Sequence, residues 1–283
     1  MSKSVMTKRH DGLGNERQQH SESGLLNDRI AVIFGAGGAT GSQVAREFAK
    51  EGASVFLSGR HLSSVESLAK EIQASQAKAE AAEVDALDEG AVNAYLDNVV
   101  KQAGKIDIVF NAMGLQPVEF DHRKPTMELS YEKFMIPVTT YVASNFLTAR
   151  AAARHMLPRH SGVIIFLTAT PAKGVAPHVA GVGTAFGAIE ALARCLAAEW
   201  SPSGVRVVCI RSGGMYDTNT IQQALQTMGS TKEEIWNNMK KGYLLKRMPV
   251  VDDTAKIAAF IASDRANSLT GSIINASCGQ VLD

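Results

Sequence analysis

Ile30-Ala-Val-Ile-Phe34-Gly35-Ala-Gly-Gly-Ala-Thr-Gly41 is an apolar run that ends in a glycine cluster, and an amphipathic run, residues 43–51, follows it. This order predicts a strand, a tight turn and a helix. Glycines let the backbone turn sharply and approach a pyrophosphate, whose charge is stabilised by amides at the N-terminus of the helix. The stretch therefore predicts a nucleotide-binding loop. A tight turn that binds nothing is the alternative for the cluster taken alone.

Composition narrows the class of partner. The chain has 283 residues, 20% of them charged, and a formal net charge of +1. This balance favours neither nucleic acid nor an anionic membrane as the main partner. Three cysteines, at positions 195, 209 and 278, show no paired spacing and stand in apolar segments. Buried thiols, a reducing compartment and a cytoplasmic location are therefore expected. No segment suggests a membrane span or a signal peptide, and no membrane partner is expected.

The beginning of the chain differs from the rest. Residues 1–24 are rich in Ser, Lys, Arg, Gln and His and lack periodic apolar positions. We therefore expect a flexible tail over residues 1–27. Residues 28–283 are expected to form one folded domain.

Strand-like and helix-like segments alternate from residue 28 onward. Apolar runs typical of strands occupy residues 30–34, 54–57, 79–84, 106–111, 162–168, 205–210 and 272–275; helical patterns include 63–75, 89–103 and 185–200. Such alternation predicts an α/β fold with a doubly wound parallel sheet, the Rossmann arrangement, in a single domain. Ligands of such folds bind beyond the carboxyl ends of the strands, where the strand order reverses.

A series of motifs in a fixed order resembles the short-chain dehydrogenase/reductase superfamily over residues 28–283. These motifs are Gly35-Ala-Gly-Gly-Ala39-Thr-Gly41, Val84-Asp85, Asn111-Ala-Met-Gly114, Leu196-Ala-Ala-Glu199, Gly204-Val-Arg-Val207, Ser212-Gly213, Ile261-Ala-Ser-Asp264, Leu269-Thr-Gly271 and Gly279. Ala39 stands where the family has the middle glycine of its loop, and Ser212-Gly213 stands where Pro-Gly is usual. The resemblance implies a nicotinamide cofactor and a small-molecule substrate. It also implies a homodimer or homotetramer.

The resemblance implies the following cofactor-binding residues: Gly35, Gly37, Gly38, Ala39, Thr40, Gly41, Arg60, Asp85, Asn111, Ala112, Gly114 and Gly213. Arg60 also has a local argument. The second strand runs into Leu57-Ser-Gly-Arg60 with no carboxylate for the ribose hydroxyls, and a guanidinium suits a 2′-phosphate. NADP(H) is therefore expected in preference to NAD(H), and a solvated surface arginine is the alternative.

The expected active site departs from the family. The family places Ser at the end of the fifth strand and Tyr-x-x-x-Lys at the start of the next helix. Matching through Ala188-Ile-Glu-Ala-Leu192, these positions fall on Ala169, Val182 and Phe186. No tyrosine in the chain has a lysine four residues later. The ordinary proton donor of the family is therefore expected to be missing.

Four residues are candidates to replace the missing groups. Tyr141 takes the position of a family Asn when counted back from Phe146, whereas counting forward from Tyr131 places Val138 there. His178 is a second candidate, because imidazole titrates near neutral pH. Either Thr168 or Thr170 is a candidate to hold a substrate oxygen. The alternatives are that Tyr141 packs in the interior and that His178 lies in a solvated loop.

The sequence is compatible with three functions. The first is an NADP(H)-dependent oxidoreductase for a small carbonyl or alcohol compound, with a rearranged proton donor. The second is a lyase or isomerase on the same fold, and the third is a nucleotide-binding or partner subunit without turnover. Residues 213–248 are expected to form a substrate lid. The pair Asp121-His122 lacks the ligand spacing of a metal site, and no metal is expected.

Overall fold

The computed structural model describes residues 24–174, 176–219, 221–222, 234, 236–237 and 240–283. In this part of the chain seven parallel strands form one sheet. They are β1 (Ile30–Phe34), β2 (Ser54–Gly59), β3 (Ala79–Glu83), β4 (Ile108–Asn111), β5 (Gly162–Ala169), β6 (Val205–Ser212) and β7 (Ile273–Ala276). Their order is β3-β2-β1-β4-β5-β6-β7. The predicted doubly wound parallel sheet is confirmed, and the strand order reverses between β1 and β4.

Helices cover both faces of the sheet. They are α1 (Ala39–Lys50), α2 (Leu62–Ala74), α3 (Glu89–Ala103), α4 (Tyr131–Met156), α5 (Ala180–Trp200) and α6 (Val251–Ala262). Alternate residues of β1 serve the two layers: Ala31 and Ile33 pack with α1, α2 and α6, whereas Val32 and Phe34 pack with α3, α4 and α5. Burial on both faces explains why β1 is apolar at every position.

The folded part begins earlier than the sequence suggests. Leu26 is fully buried, and its amide donates to the carbonyl oxygen of Glu51 at 2.8 Å. The amide of Leu25 donates to the Glu51 carboxylate at 2.8 Å. The expected boundary at residue 28 is therefore too late, because a contact with the end of α1 holds residues 24–27. Residues 1–23 of the expected tail lie outside the described residues.

One helix contains a proline, and the next begins earlier than the sequence predicts. Pro137 lies inside α4 and is buried. α5 begins at Ala180, five residues before the sequence estimate. A Cβ on Gly181 would lie 2.9 Å from both Pro137 Cγ and the Phe134 carbonyl oxygen. The glycines that weaken the helical signal here thus permit the close approach of α4 and α5.

Two expectations about apolar segments need correction. By length and composition alone, residues 180–203 are long and apolar enough to cross a membrane, with a mean hydropathy of 1.2. The core helices of soluble proteins meet the same criterion, and 44% of the 18-residue window that meets it is buried inside the fold. Among the cysteines, Cys209 is buried, whereas Cys278 is partly exposed and Cys195 is exposed on α5. The expectation of buried thiols is therefore wrong for Cys195.

Candidate functional site

The glycine loop connects β1 to α1 with little space for side chains. Gly35 has a φ of +73°, and a Cβ there would lie 2.8 Å from the backbone of Ala112 and Met113. A Cβ on Gly41 would collide with the Gly35 carbonyl oxygen. By contrast, a Cβ on Gly38 would meet nothing closer than 3.5 Å. Gly35 and Gly41 are therefore required by the turn, whereas Gly38 leaves open space at the start of α1.

The N-terminus of α1 is suited to a phosphate group. Gly38 is the N-cap and supplies no side-chain hydrogen bond, and the first turn contains no acidic residue. The first amides of a helix lack partners within the helix. Open space, available amides and the positive end of the helix dipole together fit a bound pyrophosphate.

A cleft of about 430 Å³ lies along this loop at the carboxyl ends of β1, β2 and β4. Nine predicted cofactor-binding residues line it: Gly35, Gly37, Gly38, Ala39, Thr40, Arg60, Asp85, Ala112 and Gly114. The lining also includes residues that sequence reasoning missed, among them His61, Ser64, Leu115, Gln116, Thr140, Thr218 and Asn219. His61 directly follows Arg60 and Ser64 comes three residues later, whereas Leu115 and Gln116 directly follow Gly114. Their position after strand ends was the signal available for finding them.

Arg60 is exposed and lies at the end of the cleft beyond β2. Glu83 stands beside Gly59 in the neighbouring strand, and its carboxylate accepts the Leu62 amide at 3.3 Å. Asp85 lines the cleft, and its carboxylate accepts the Leu87 amide at 2.9 Å. The charges at this end of the cleft thus include a guanidinium available to a ligand.

Three of the predicted cofactor-binding residues do not line the cleft. Gly41 is buried in α1. Asn111 is 3% exposed; its Nδ2 donates to Thr148 Oγ1 at 3.1 Å, and its Oδ1 accepts the Met113 amide at 3.0 Å. It therefore fastens the end of β4 to α4. Gly213 lies instead beside Tyr243, Pro249 and Gln280.

Tyr141 lies on α4 next to two residues that line the cleft. Its hydroxyl oxygen accepts the amide of Leu115 at 3.1 Å, and Leu115 and Thr140 both line the cleft. Its ring packs against Phe186, with 5.3 Å between ring centroids. Burial raises the pKa of Tyr141 above its ordinary value, although the Leu115 amide opposes that effect. The hydroxyl hydrogen remains available to a further acceptor.

The three positions expected to replace Ser, Tyr and Lys lie on the elements that the resemblance implies. Ala169 is the last residue of β5, and Val182 is buried in the first turn of α5. Phe186 follows one turn later and contacts Tyr141. The structure thus brings the Tyr141 ring against the position expected for Lys.

The other candidate residues have different surroundings. Thr168 is 1% exposed, and its hydroxyl donates to Glu190 Oε1 at 3.1 Å, so it faces the interior. The Thr170 hydroxyl donates to Gln280 Oε1 at 3.1 Å. His178 is exposed in the turn before α5, with a φ of +62°. His178 therefore lies in a solvated loop, which is the alternative that the sequence left open.

A buried ion pair that sequence reasoning missed joins α5 to β6. Arg211 Nε and Nη2 each donate to the Glu190 carboxylate at 2.7 Å, and both side chains are nearly inaccessible, at 5% and 6%. Arg211 Nη1 also binds the carboxylate of Asp283, which Lys173 contacts at 3.0 Å. These acidic partners raise the pKa of Arg211. The available signal was a charged residue on the buried face of β6, in phase with Val207 and Cys209.

The expected lid is described only in part. Residues 220, 223–233, 235 and 238–239 of that segment lie outside the described residues. Met215 and Met248 are buried, and the rings of Tyr216 and Trp236 are in edge contact, with 4.4 Å between their centroids.

His122, which the sequence offered as half of an Asp-His pair, packs against Phe120, and burial lowers the pKa of its imidazole to about 4. In the described part of the chain, no three His, Cys, Asp or Glu residues form a potential metal cluster.

Comparison with known proteins gives consistent matches over most of the chain. A family model described as Enoyl-(Acyl carrier protein) reductase matches residues 35–280. A hydroxynaphthalene reductase of Aspergillus fumigatus is 29% identical over 253 residues, which cover 87% of this chain and 90% of the relative. A peroxisomal 2,4-dienoyl-CoA reductase of Rattus norvegicus is 29% identical over 255 residues, 88% of this chain and 82% of the relative. A solved structure titled as a putative gluconate dehydrogenase from Agrobacterium tumefaciens is 27% identical with a TM-score of 0.82; the match covers 91% of this chain and 98% of that one.

Proposed function

We propose, since the chain belongs to the short-chain dehydrogenase/reductase superfamily, that it is an NADP(H)-dependent oxidoreductase acting on a small carbonyl or alcohol compound. In this proposal its proton donor is not the usual Tyr-Lys pair. The observation that carries it is the location of the Tyr141 hydroxyl, bonded to the amide of a residue that lines the cleft. A phenol that can donate a proton is thereby retained beside the cleft.

The cofactor preference rests on Arg60. It lies in the cleft at the end of β2, while the Glu83 carboxylate in the next strand is engaged by the Leu62 amide. A guanidinium there favours a 2′-phosphate, whereas an acidic residue would favour free ribose hydroxyls. The open space at Gly38 and the free amides of α1 support binding of the pyrophosphate. When bound, the nicotinamide supplies the hydride.

Tyr141 is suited to give a proton rather than to remove one. Burial holds its pKa above the ordinary value, so the phenol stays protonated through neutral pH. The Leu115 amide donates to the same oxygen and so fixes its position. With Phe186 against its ring, no ammonium group stabilises the phenolate at that contact. Reduction of a carbonyl is therefore favoured over oxidation of an alcohol.

The direct test compares Tyr141→Phe with Tyr131→Phe, a control on the same helix that is 78% exposed. We expect Tyr141→Phe to remove most NADPH-dependent turnover in a carbonyl screen and to leave the Kd for NADPH unchanged, and Tyr131→Phe to change neither. The rate of reduction by the parent protein should stay level from pH 6 to about pH 9, because the phenol remains protonated.

Other results would favour the remaining hypotheses. Full activity of Tyr141→Phe together with loss in His178→Ala would transfer the donor role to His178. NADPH binding without hydride transfer to any carbonyl would favour the subunit without turnover. Conversion of a substrate with no change in nicotinamide absorbance would favour a lyase or an isomerase. The homodimer or homotetramer and the cytoplasmic location belong to the same proposal and rest on the resemblance and on the composition.

A further inference from the structure

Three side chains converge beyond the carboxyl ends of β5, β6 and β7. A Cβ on Gly213 would lie 3.1 Å from Gln280 Oε1, 3.1 Å from Tyr243 Cε1 and 3.0 Å from Pro249 Cγ. Gly213 does not have a positive φ, so its backbone conformation does not require glycine. A larger residue there would crowd the Gln280 amide and the Tyr243 ring, which approach the backbone closely.

The Gln280 amide is paired with a hydroxyl of the neighbouring strand end. Thr170, directly after β5, donates to Gln280 Oε1 at 3.1 Å and is 8% exposed, whereas Gln280 itself is exposed. A primary amide has two N–H donors besides its oxygen. If the amide is turned over, it donates to Thr170 and the hydroxyl hydrogen becomes free instead. In both orientations the pair retains donors for a ligand oxygen.

Hydrogen bonds and ion pairs hold the chain segment that carries Gln280. Asn275 Nδ2 donates to the Val281 carbonyl oxygen at 2.8 Å, and the Ser277 hydroxyl lies 3.4 Å from the same oxygen. Two residues after Val281, the Asp283 carboxylate binds Lys173 and the buried Arg211. Such support fixes a side chain before a ligand arrives, as binding sites require.

We propose that Gln280, together with Thr170, binds a hydroxyl oxygen of an uncharged hydroxycarbonyl substrate. This inference rests on the proposed function and names its substrate class. The chemistry of the pair indicates this class. An amide and a hydroxyl offer neutral donors and acceptors, and the nearby cations Lys173 and Arg211 are already paired with Asp283 and Glu190. Parallel sheets bind ligands at this edge, and the β4–β7 half lies beside the cleft at the β1/β4 reversal.

The test uses two aldehydes of the same length, glyceraldehyde and propanal, which differ in their hydroxyl groups. Saturation-transfer NMR measures their Kd for the full chain loaded with NADP⁺, and NADPH oxidation measures turnover. The parent should bind glyceraldehyde about tenfold more tightly than propanal. Gln280→Leu and Thr170→Val should each abolish that preference and leave propanal and NADPH binding unchanged.

Two controls separate ligand contact from a structural effect. Leu282→Ala, in the same segment and 69% exposed, should keep the preference, and Thr170→Ser should restore it. The double variant Gln280→Leu/Thr170→Val should match either single variant, because the two residues act as one unit.

The inference is overturned if the parent does not distinguish the aldehydes, or if Gln280→Leu keeps the preference. It is also overturned if Gln280→Leu weakens the binding of propanal and of NADPH as much as it weakens the binding of glyceraldehyde. If the preference depends on Gln280 but no hydride transfer occurs, the inference stands and the proposed function fails.

Discussion

Replacing Arg211 by methionine leaves the Glu190 carboxylate buried beside an apolar side chain. Glu190 then keeps the Thr168 hydroxyl as its partner but loses two hydrogen bonds of 2.7 Å to the guanidinium. We expect the free energy of unfolding to fall by about 3–5 kcal/mol, the usual cost of breaking a buried ion pair on one side. The attraction of two charges about 4 Å apart at an effective dielectric constant of about 20 is about 4 kcal/mol, which agrees with this range.

The chain contains a matched control for the effect of burial. Arg46 Nε and Nη2 donate to the Glu71 carboxylate at 2.7 and 2.8 Å, but these side chains are 38% and 56% exposed. Arg46→Met should therefore cost no more than about 1 kcal/mol. Both substitutions remove a two-point contact of nearly the same geometry with a glutamate, so the difference between them reports mainly the effect of burial, together with the Asp283 contact that only Arg211 makes.

Urea unfolding at pH 7, monitored by circular dichroism, gives the free energy of unfolding of both variants and of the parent. In a separate thermal scan, the melting temperature of Arg211→Met should fall by about 6–20 °C, at about 2–4 °C per kcal/mol. The double variant Arg211→Met/Glu190→Met should recover most of the loss, because it leaves no unpaired charge. Equal losses for Arg211→Met and Arg46→Met would refute the argument that burial makes the first pair important.

Three further outcomes are expected. Arg60→Asp should reverse the preference for NADPH over NADH, with a change of at least about tenfold in the Kd ratio by fluorescence titration; equal affinity of the parent for both cofactors would remove the argument. Burial would raise the pKa of Asp107, but the Ile30 amide, Lys105 and Arg159 together hold it below its ordinary value. Its stabilising effect is therefore present above about pH 4 and is lost as the pH falls through the lowered pKa, so Asp107→Asn should unfold more easily at pH 7 and show a shallower acid decline. Light scattering at micromolar concentration should give a dimer or tetramer, and a monomer would contradict this prediction.

The sheet and the loop next to the cleft were predictable because their signals are local. β1 is apolar at five successive positions, and Gly41 lies against Gly35, which is only six residues away in sequence. Arg60 and Gly114 follow strand ends, and parallel strands place such residues at one edge. Nine of the residues expected to bind the cofactor therefore line one cleft. The start of α5 was less accurate, because the close approach of α4 and α5 at Gly181 outweighs local helix propensity.

Tertiary structure alone decided which polar groups meet. Thr170 and Gln280 are 110 residues apart in sequence, yet they hydrogen-bond across the edge of the sheet. Arg211 meets Glu190 because α5 packs against the face of β6 that carries Arg211. Sequence motifs specify which residue follows a strand, but not which side chain of a distant segment will complete its hydrogen bonds. Those pairings depend on long-range packing, so the sequence by itself determined the fold and the glycine loop, and only the folded chain determined that Thr170 meets Gln280 and that Arg211 meets Glu190.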